Sequence, residues 1–391
     1  MATGCTSSPS RTNDDPRLRM MTYHLSNIET ADLQRTDHTR LRRAAARIQS
    51  LSPDVLFVTG LVYDQSGLSD NGERTPGQNG RRFVTNYLSR SQADTLSGRS
   101  YQTVMLPVNA EDSSREGRIT DQAVSPETVS VSGSSESVTA VRRAHPGRAN
   151  GSSQEGMALF VRDDLEILRD SIRTFRRFLW SKMPGAARPR DRHSGAPWHS
   201  DETWRSLRLS SRSHWDVPVR TSGGTVIHVL ASHPGVPTRD GDAQYSDRRN
   251  HDEIRFWVDY LDDAVYIEDD SGRGGGLAED AAFVLVGPLH ADPNDKNIFR
   301  AAVRELIAHR RVHDPRPTAS LTGRSPFPNL SAQATARWGG RRDYVLPSKN
   351  LLVDTSGVWR PVPDTAAVPV SDRFPVWVDF RLPEPPNDVL E

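Results

Sequence analysis

The chain gathers its large apolar side chains into short runs separated by long polar stretches, and this spacing constrains the fold more than any other feature. Runs at Leu18 to Leu25, Val55 to Val58, Met157 to Val161, Val226 to Ala231, Ala281 to Val286 and Val376 to Leu382 have the length of strands. None approaches the roughly 18 consecutive apolar residues that suggest a membrane span. Hydrophobic residues make up 35% of the sequence, so a core has to come from their localisation and not from their abundance. The length of 391 residues suits two average domains or one large one, and the order of elements decides between them.

Residues 38 to 51 carry Leu41, Ala44, Ala45, Ile48 and Leu51 at helical spacing, and Pro53 turns the chain into Val55 to Val58. The opening is therefore β-α-β with a very short second strand. Val217 to Val219 and Val226 to Ala231 predict a hairpin around Ser222-Gly223-Gly224. Residues 251 to 264, with Ile254, Trp257, Val258 and Leu261, predict an amphipathic helix, as do residues 297 to 308, and Asp343 to Leu346 adds a strand. The stretch 173 to 216, rich in Arg and Trp, reads as too polar for a core element. Residues 1 to 17 suit a disordered leader and about 109 to 155 a flexible insertion. Residues 18 to 385 are expected to form a single domain.

Formal net charge is zero, so no general attraction to nucleic acid or to an anionic membrane is expected. The single cysteine, Cys5, excludes an intramolecular disulfide and a cysteine-based zinc cage. Ala2-Thr3-Gly4-Cys5 resembles the end of a lipoprotein signal, but no apolar stretch precedes it. A cytoplasmic location is expected, with export the alternative if an upstream signal was removed.

Polar segments fall at the strand ends: Thr22-Tyr23-His24, Val58-Thr59-Gly60, Ala231-Ser232-His233-Pro234, Gly287-Pro288-Leu289-His290-Ala291-Asp292-Pro293 and Ser371-Asp372-Arg373. Their order and spacing resemble the endonuclease/exonuclease/phosphatase superfamily, whose members include DNase I-like nucleases and inositol phosphatases. Arg342-Asp343-Tyr344-Val345-Leu346-Pro347-Ser348 and the stretch Arg249 to Trp257 look similar to one bacterial branch of it. The resemblance covers about residues 17 to 382. It implies a four-layer α/β/β/α sandwich of two mostly antiparallel sheets and a mouth built for metal-assisted phosphate ester hydrolysis.

The family pattern also implies residues that this chain lacks. Where the family has Asn in the first segment, this chain has His24; where it has the Glu that holds a divalent cation, this chain has Gly60. The Gly-Asp-x-Asn motif is replaced at Pro288 and His290, and the final His base at Arg373, while His233, Asp343 and Asp372 match. Glycine supplies no ligand for a hard cation, and arginine cannot take a proton from water. The losses touch every role in the reaction, which predicts loss of ordinary phosphodiesterase activity.

The expected replacement is a site for a small organic molecule, worked by non-hydrolytic acid/base chemistry such as cyclisation, elimination or rearrangement in specialised metabolism. His24, His233 and His290 would act as acid, base or ligand, Asp343 or Asp372 as orienting carboxylate, and Arg373 as a cationic clamp. Tyr23, Arg176, Trp180, His214 and Trp215 are candidates for binding the substrate. No cofactor is expected and magnesium is disfavoured, while the three imidazoles leave a softer transition metal open. A dead binding protein, or residual phosphoesterase activity through Asp64 or Asp292, are the alternatives. His251 reads as a helix cap, His228 as a half-buried strand residue, and Arg341 and Arg342 as partners of Asp343.

Overall fold

The structure is a computed structural model and describes residues 17–64, 75–109, 155–237, 244–319, 327, 329–360 and 369–382. Residues 1–16 of the expected leader and 110–154 of the expected insertion lie outside the described residues, while Arg17 and Glu155, assigned to those segments, instead begin strands.

The first sheet contains β1 (Arg17–Ile28), β2 (Val55–Val62), β3 (Tyr101–Val104), β4 (Glu155–Arg162), β11 (Leu352–Val358) and β12 (Val376–Arg381), in the order β11-β12-β1-β2-β4-β3. The second contains β5 (Glu166–Ile167), β7 (His214–Arg220), β8 (Val226–Ser232), β9 (Ala282–Pro288) and β10 (Asp343–Pro347), in the order β10-β9-β8-β7-β5, with β6 (Arg173–Thr174) also paired to β7. Among the described strands only β1 with β2 and β8 with β9 run parallel. The helices are α1 (Thr30–Gln34), α2 (Thr39–Leu51), α3 (Asn79–Phe83), α4 (Asp201–Ser206), α5 (Tyr245–Leu261) and α6 (Ala301–Ala308).

Strand alternation explains the layering. Along β8, β9 and β10, Val229, Ala231, Val284, Val286 and Val345 join the core that also contains β1 and β2. Their neighbours Leu230, Phe283, Leu285, Tyr344 and Leu346 join a second core with Ile254, Phe256, Trp257 and Tyr260 of α5 and with Ala302 and Leu306 of α6. Both faces of these strands are thus buried, and they read as continuous apolar runs. Each large side chain sealed this way contributes roughly 1.5–3 kcal/mol. Opposite, α2 buries Leu41, Ala44, Ala45 and Ile48 against the first sheet. It ends at Ser52, which is left-handed at φ 48° and returns its N–H to Ile48 at 2.8 Å.

Several expectations need correction. β2 is not very short: it runs eight residues through Gly60, because β4 pairs with it on the side away from β1. The stretch 173 to 216 is not excluded from the core. Phe175, Phe178, Trp180 and Leu207 are buried in the second cluster, while its arginines bond to carbonyls and carboxylates nearby. α5 starts at Tyr245, so His251 sits within the helix and bonds Asp252 Oδ1 at 2.9 Å instead of capping it. His228 is half-buried as expected, with Nδ1 2.7 Å from Asp216 Oδ1.

Candidate active site

The sandwich brings β1, β9 and β10 face to face, so that their polar ends converge at one mouth. His24 leaves the end of β1, His233 follows β8, His290 follows β9, Asp343 opens β10 and Arg373 precedes β12. The three imidazoles meet. The ring centres of His24 and His233 lie 5.5 Å apart, those of His233 and His290 5.2 Å, and those of His24 and His290 6.4 Å. His233 Nε2 is 3.1 Å from His290 Nε2, and His24 Nδ1 is 2.8 Å from Thr59 Oγ1.

Arg373 lies behind this trio, buried to 4% exposure. Its Nη1 donates to Asp343 Oδ2 at 3.0 Å and its Nη2 to His290 Nδ1 at 2.6 Å. Both terminal nitrogens therefore bond inside the protein, at the residue expected to act as a cationic clamp. Thr335 Oγ1 donates to the same Asp343 oxygen at 2.7 Å. The indole of Trp338, 61% exposed, lies 4.8 Å from the guanidinium and forms part of the rim.

A further carboxylate enters from a direction that the sequence did not advertise. Glu155 begins β4 opposite Val62 and comes within 3.8 Å of His24 Nε2, while Arg212 Nη2 donates to its other oxygen at 3.0 Å. Burial opposes its charge, but Arg212, and the imidazoles of His233 and His24 at a pH low enough to protonate them, outweigh that and hold it well below the ordinary carboxylate range. Burial pushes His24 below the ordinary imidazole range, against the pull of Glu155. It pushes His233 and His290 well below that range, and Arg373 adds to the effect at His290. At neutral pH the mouth therefore holds uncharged imidazoles beside an ionised carboxylate.

The other candidates lie elsewhere. Tyr23 points to the helix side of β1, since neighbouring strand residues face opposite ways, and its hydroxyl accepts from Arg47 of α2 at 3.0 Å. Trp180 is sealed in the outer core and donates to Asp252 Oδ2 at 2.6 Å. His214 lies against Phe256 and Trp257 with its ring bonded to Ser210 and to the Glu253 carbonyl, and Trp215 packs on Phe57. Neither reaches solvent. Asp372 is exposed, because the turn gives the inward position to Arg373. Arg176 is half-buried, its backbone N–H donating to Asp270 and its carbonyl accepting from Asn109. Arg341 pairs with Asp314 and Arg342 with the His290 carbonyl, so neither is the partner of Asp343. Asp64 is tied to Arg82 and Asp292 to the Arg341 backbone.

The sequence profile of the Endonuclease/Exonuclease/phosphatase family matches residues 27–373. The chain belongs to that family. Solved structures are similar to it at low identity. An endonuclease/exonuclease/phosphatase from Beutenbergia cavernae matches at TM-score 0.50 with 17% identity, over 94% of this chain and 72% of that one. A family protein from Leptotrichia buccalis matches at 0.48 with 12% identity, over 93% and 100%. The human Nocturnin catalytic domain matches at 0.47 with 13% identity, over 93% of each chain. No curated protein sequence matches the chain.

The family implies a divalent cation, and the residues present do not fit a hard one. Gly60, which the sequence resemblance sets against the family's carboxylate ligand, has φ +89°, and a Cβ there would lie 2.3 Å from the Ser26 backbone nitrogen. No side chain has room to enter. The Asp343 oxygen nearest the cluster already accepts from Arg373 and Thr335. Among the described residues no group of three or more His, Cys, Asp or Glu side chains is arranged to hold a metal ion. Among them, too, no helix is long and apolar enough to cross a membrane.

Proposed function

We propose that this family member has lost metal-assisted phosphate ester hydrolysis and acts on a small organic molecule by non-hydrolytic acid/base chemistry. The observation that carries this reading is the meeting of three imidazoles with the Glu155 carboxylate at one mouth, where the backbone at Gly60 leaves no place for a side chain. Cyclisation, elimination and rearrangement each require a proton to be taken and another returned, which is work for such groups without a metal. His24 and Glu155 are the most accessible of the cluster, with side chains 11% and 19% exposed, and are the groups that would touch the substrate. The zero net charge supports a small-molecule partner over nucleic acid.

A second reading is favoured by one observation. His233, His290, Arg373 and Asp343 are nearly sealed from solvent, as they would be in a protein that binds a ligand at this mouth without turning it over. One set of assays separates the readings. Purified protein with Mg²⁺, Mn²⁺ or Ca²⁺ and bis(p-nitrophenyl) phosphate is expected to give no rate above the buffer blank. A metal-dependent rate that disappears in Glu155→Gln would overturn the proposal. Once a substrate is found by screening, His24→Ala and Glu155→Gln should lower kcat by about 10²-fold or more. Ligand binding with no turnover in the unmodified protein would establish the second reading instead.

A further inference from the structure

The hydrogen-bond partners of two of the buried rings leave them a single arrangement of protons. The guanidinium of Arg373 carries N–H donors and no acceptor, so it can only donate. Its Nη2 lies 2.6 Å from His290 Nδ1, so that nitrogen accepts and the ring's proton is on Nε2. His290 Nε2 in turn lies 3.1 Å from His233 Nε2, so His233 accepts there and its own proton is on Nδ1. Neither ring takes a second proton near neutral pH, because burial holds both well below the ordinary imidazole range. The chain of donors therefore has a direction, from Arg373 through His290 to His233.

It ends on an atom that no described residue satisfies. His233 is 3% exposed, and its Nδ1 is buried with no hydrogen-bond partner among the described residues. A buried N–H without an acceptor costs free energy, and an oxygen of a bound ligand would relieve it. Glu155 lies near enough to bear on the charge of His233, yet its carboxylate pairs with His24 and Arg212. The charges that bear on His233 are already matched, Arg212 with Glu155 and Arg373 with Asp343, so the site holds no spare cation for an anion and suits an uncharged oxygen.

We propose that Arg373 is a positioning residue that fixes the proton of His233 on Nδ1 through His290, and that this N–H binds an uncharged carbonyl oxygen of the ligand. Both residues that set the direction are departures from the family pattern. The inference rests on the reading of the mouth as a site for a small molecule, although the proton positions are present in the protein without any ligand.

Full-length protein labelled with ¹⁵N-histidine, observed near neutral pH by long-range ¹H–¹⁵N correlation, reports the protonation of each ring nitrogen. The expected pattern has His233 protonated on Nδ1 and bare on Nε2, with His290 the reverse. A His233 proton on Nε2, or either ring doubly protonated, would overturn the proposal in the native protein, whatever the variants do. In His290→Phe the donor is gone, and His233 should relax to a mixture of tautomers; an unchanged His233 would show that Arg373 does not act through His290. Added acetamide should shift the His233 Nδ1–H resonance while inorganic phosphate leaves it in place. A response to phosphate alone, or to neither probe, would overturn the ligand class. The expected tautomers in a protein that turns nothing over would sink the acid/base reading and leave this one standing.

Discussion

Arg373 and Asp343 form an ion pair whose members are 4% and 2% exposed, and such a pair stabilises a fold less than it constrains it. Taking both charges out of water costs several kcal/mol each, and their attraction returns that cost only with good geometry and further hydrogen bonds. Here Thr335 and His290 supply those bonds. Removing one partner leaves a buried charge without its counterpart. Arg373→Met and Asp343→Asn should therefore each lower unfolding free energy by about 3–5 kcal/mol. The double variant should lose less than the sum, by roughly 0.5–3 kcal/mol, because neither charge is then stranded. Urea denaturation of the four proteins measures the difference, and strictly additive losses would show that the two side chains do not depend on each other.

At the scale of elements, the mouth is shaped by a shared irregularity at the ends of β1 and β2. The pairing of β1 with β2 shifts between His24 and Ile28, and that of β2 with β4 between Thr59 and Leu61. Ser26 and Asn27 are left-handed, at φ 53° and 49°, directly against Gly60. Arg40 of α2 holds the distortion by donating to the carbonyls of Leu25, Ser26 and Val370. Gly60→Ala forces a Cβ into the Ser26 backbone at a φ that L side chains rarely adopt, and it should cost about 1–3 kcal/mol of stability. An unchanged urea midpoint would mean that the two strand ends can part without loss. None of this was legible in sequence, where Gly60 showed only as a missing carboxylate. The apolar strands β1, β8 and β9 were legible because both faces of each are buried. β11, mostly exposed along its length, gave no run to read. The first turns of α5 were missed because Arg249 and Asn250 are buried through hydrogen bonds, which hydropathy does not register. Glu155 was missed because its place depends on pairing with Val62, and nothing near it in sequence marks that partner.

At the scale of the whole molecule, the buried titratable groups combine into a dependence of stability on pH whose sign can be worked out. His24, His233 and His290 have their pKa lowered by burial, and burial also takes His214 down to about 4. For each, the unfolded chain takes up a proton below about 6.5 while the folded chain does not. Stability is therefore present above that pH and is lost as pH falls towards the folded values. His214 alone, fully buried, would lose about 3 kcal/mol between 6.5 and 4. Glu253 works the other way. Burial raises it to about 7 despite Arg249 and the bonds from Ser211 and Gly235, so its contribution falls as pH rises from the ordinary carboxylate value towards 7. Four imidazoles outweigh one carboxyl group, since each contributes a slope of about 1.4 kcal/mol per pH unit where only one state is protonated. Urea midpoints should thus fall steadily from pH 6.5 to 4.5, and His214→Phe should flatten the slope by close to one proton if the aromatic replacement is tolerated. A stability constant or rising over that interval would mean that these rings gain protons in the folded protein, and the neutral mouth on which the acid/base reading depends would be lost with it.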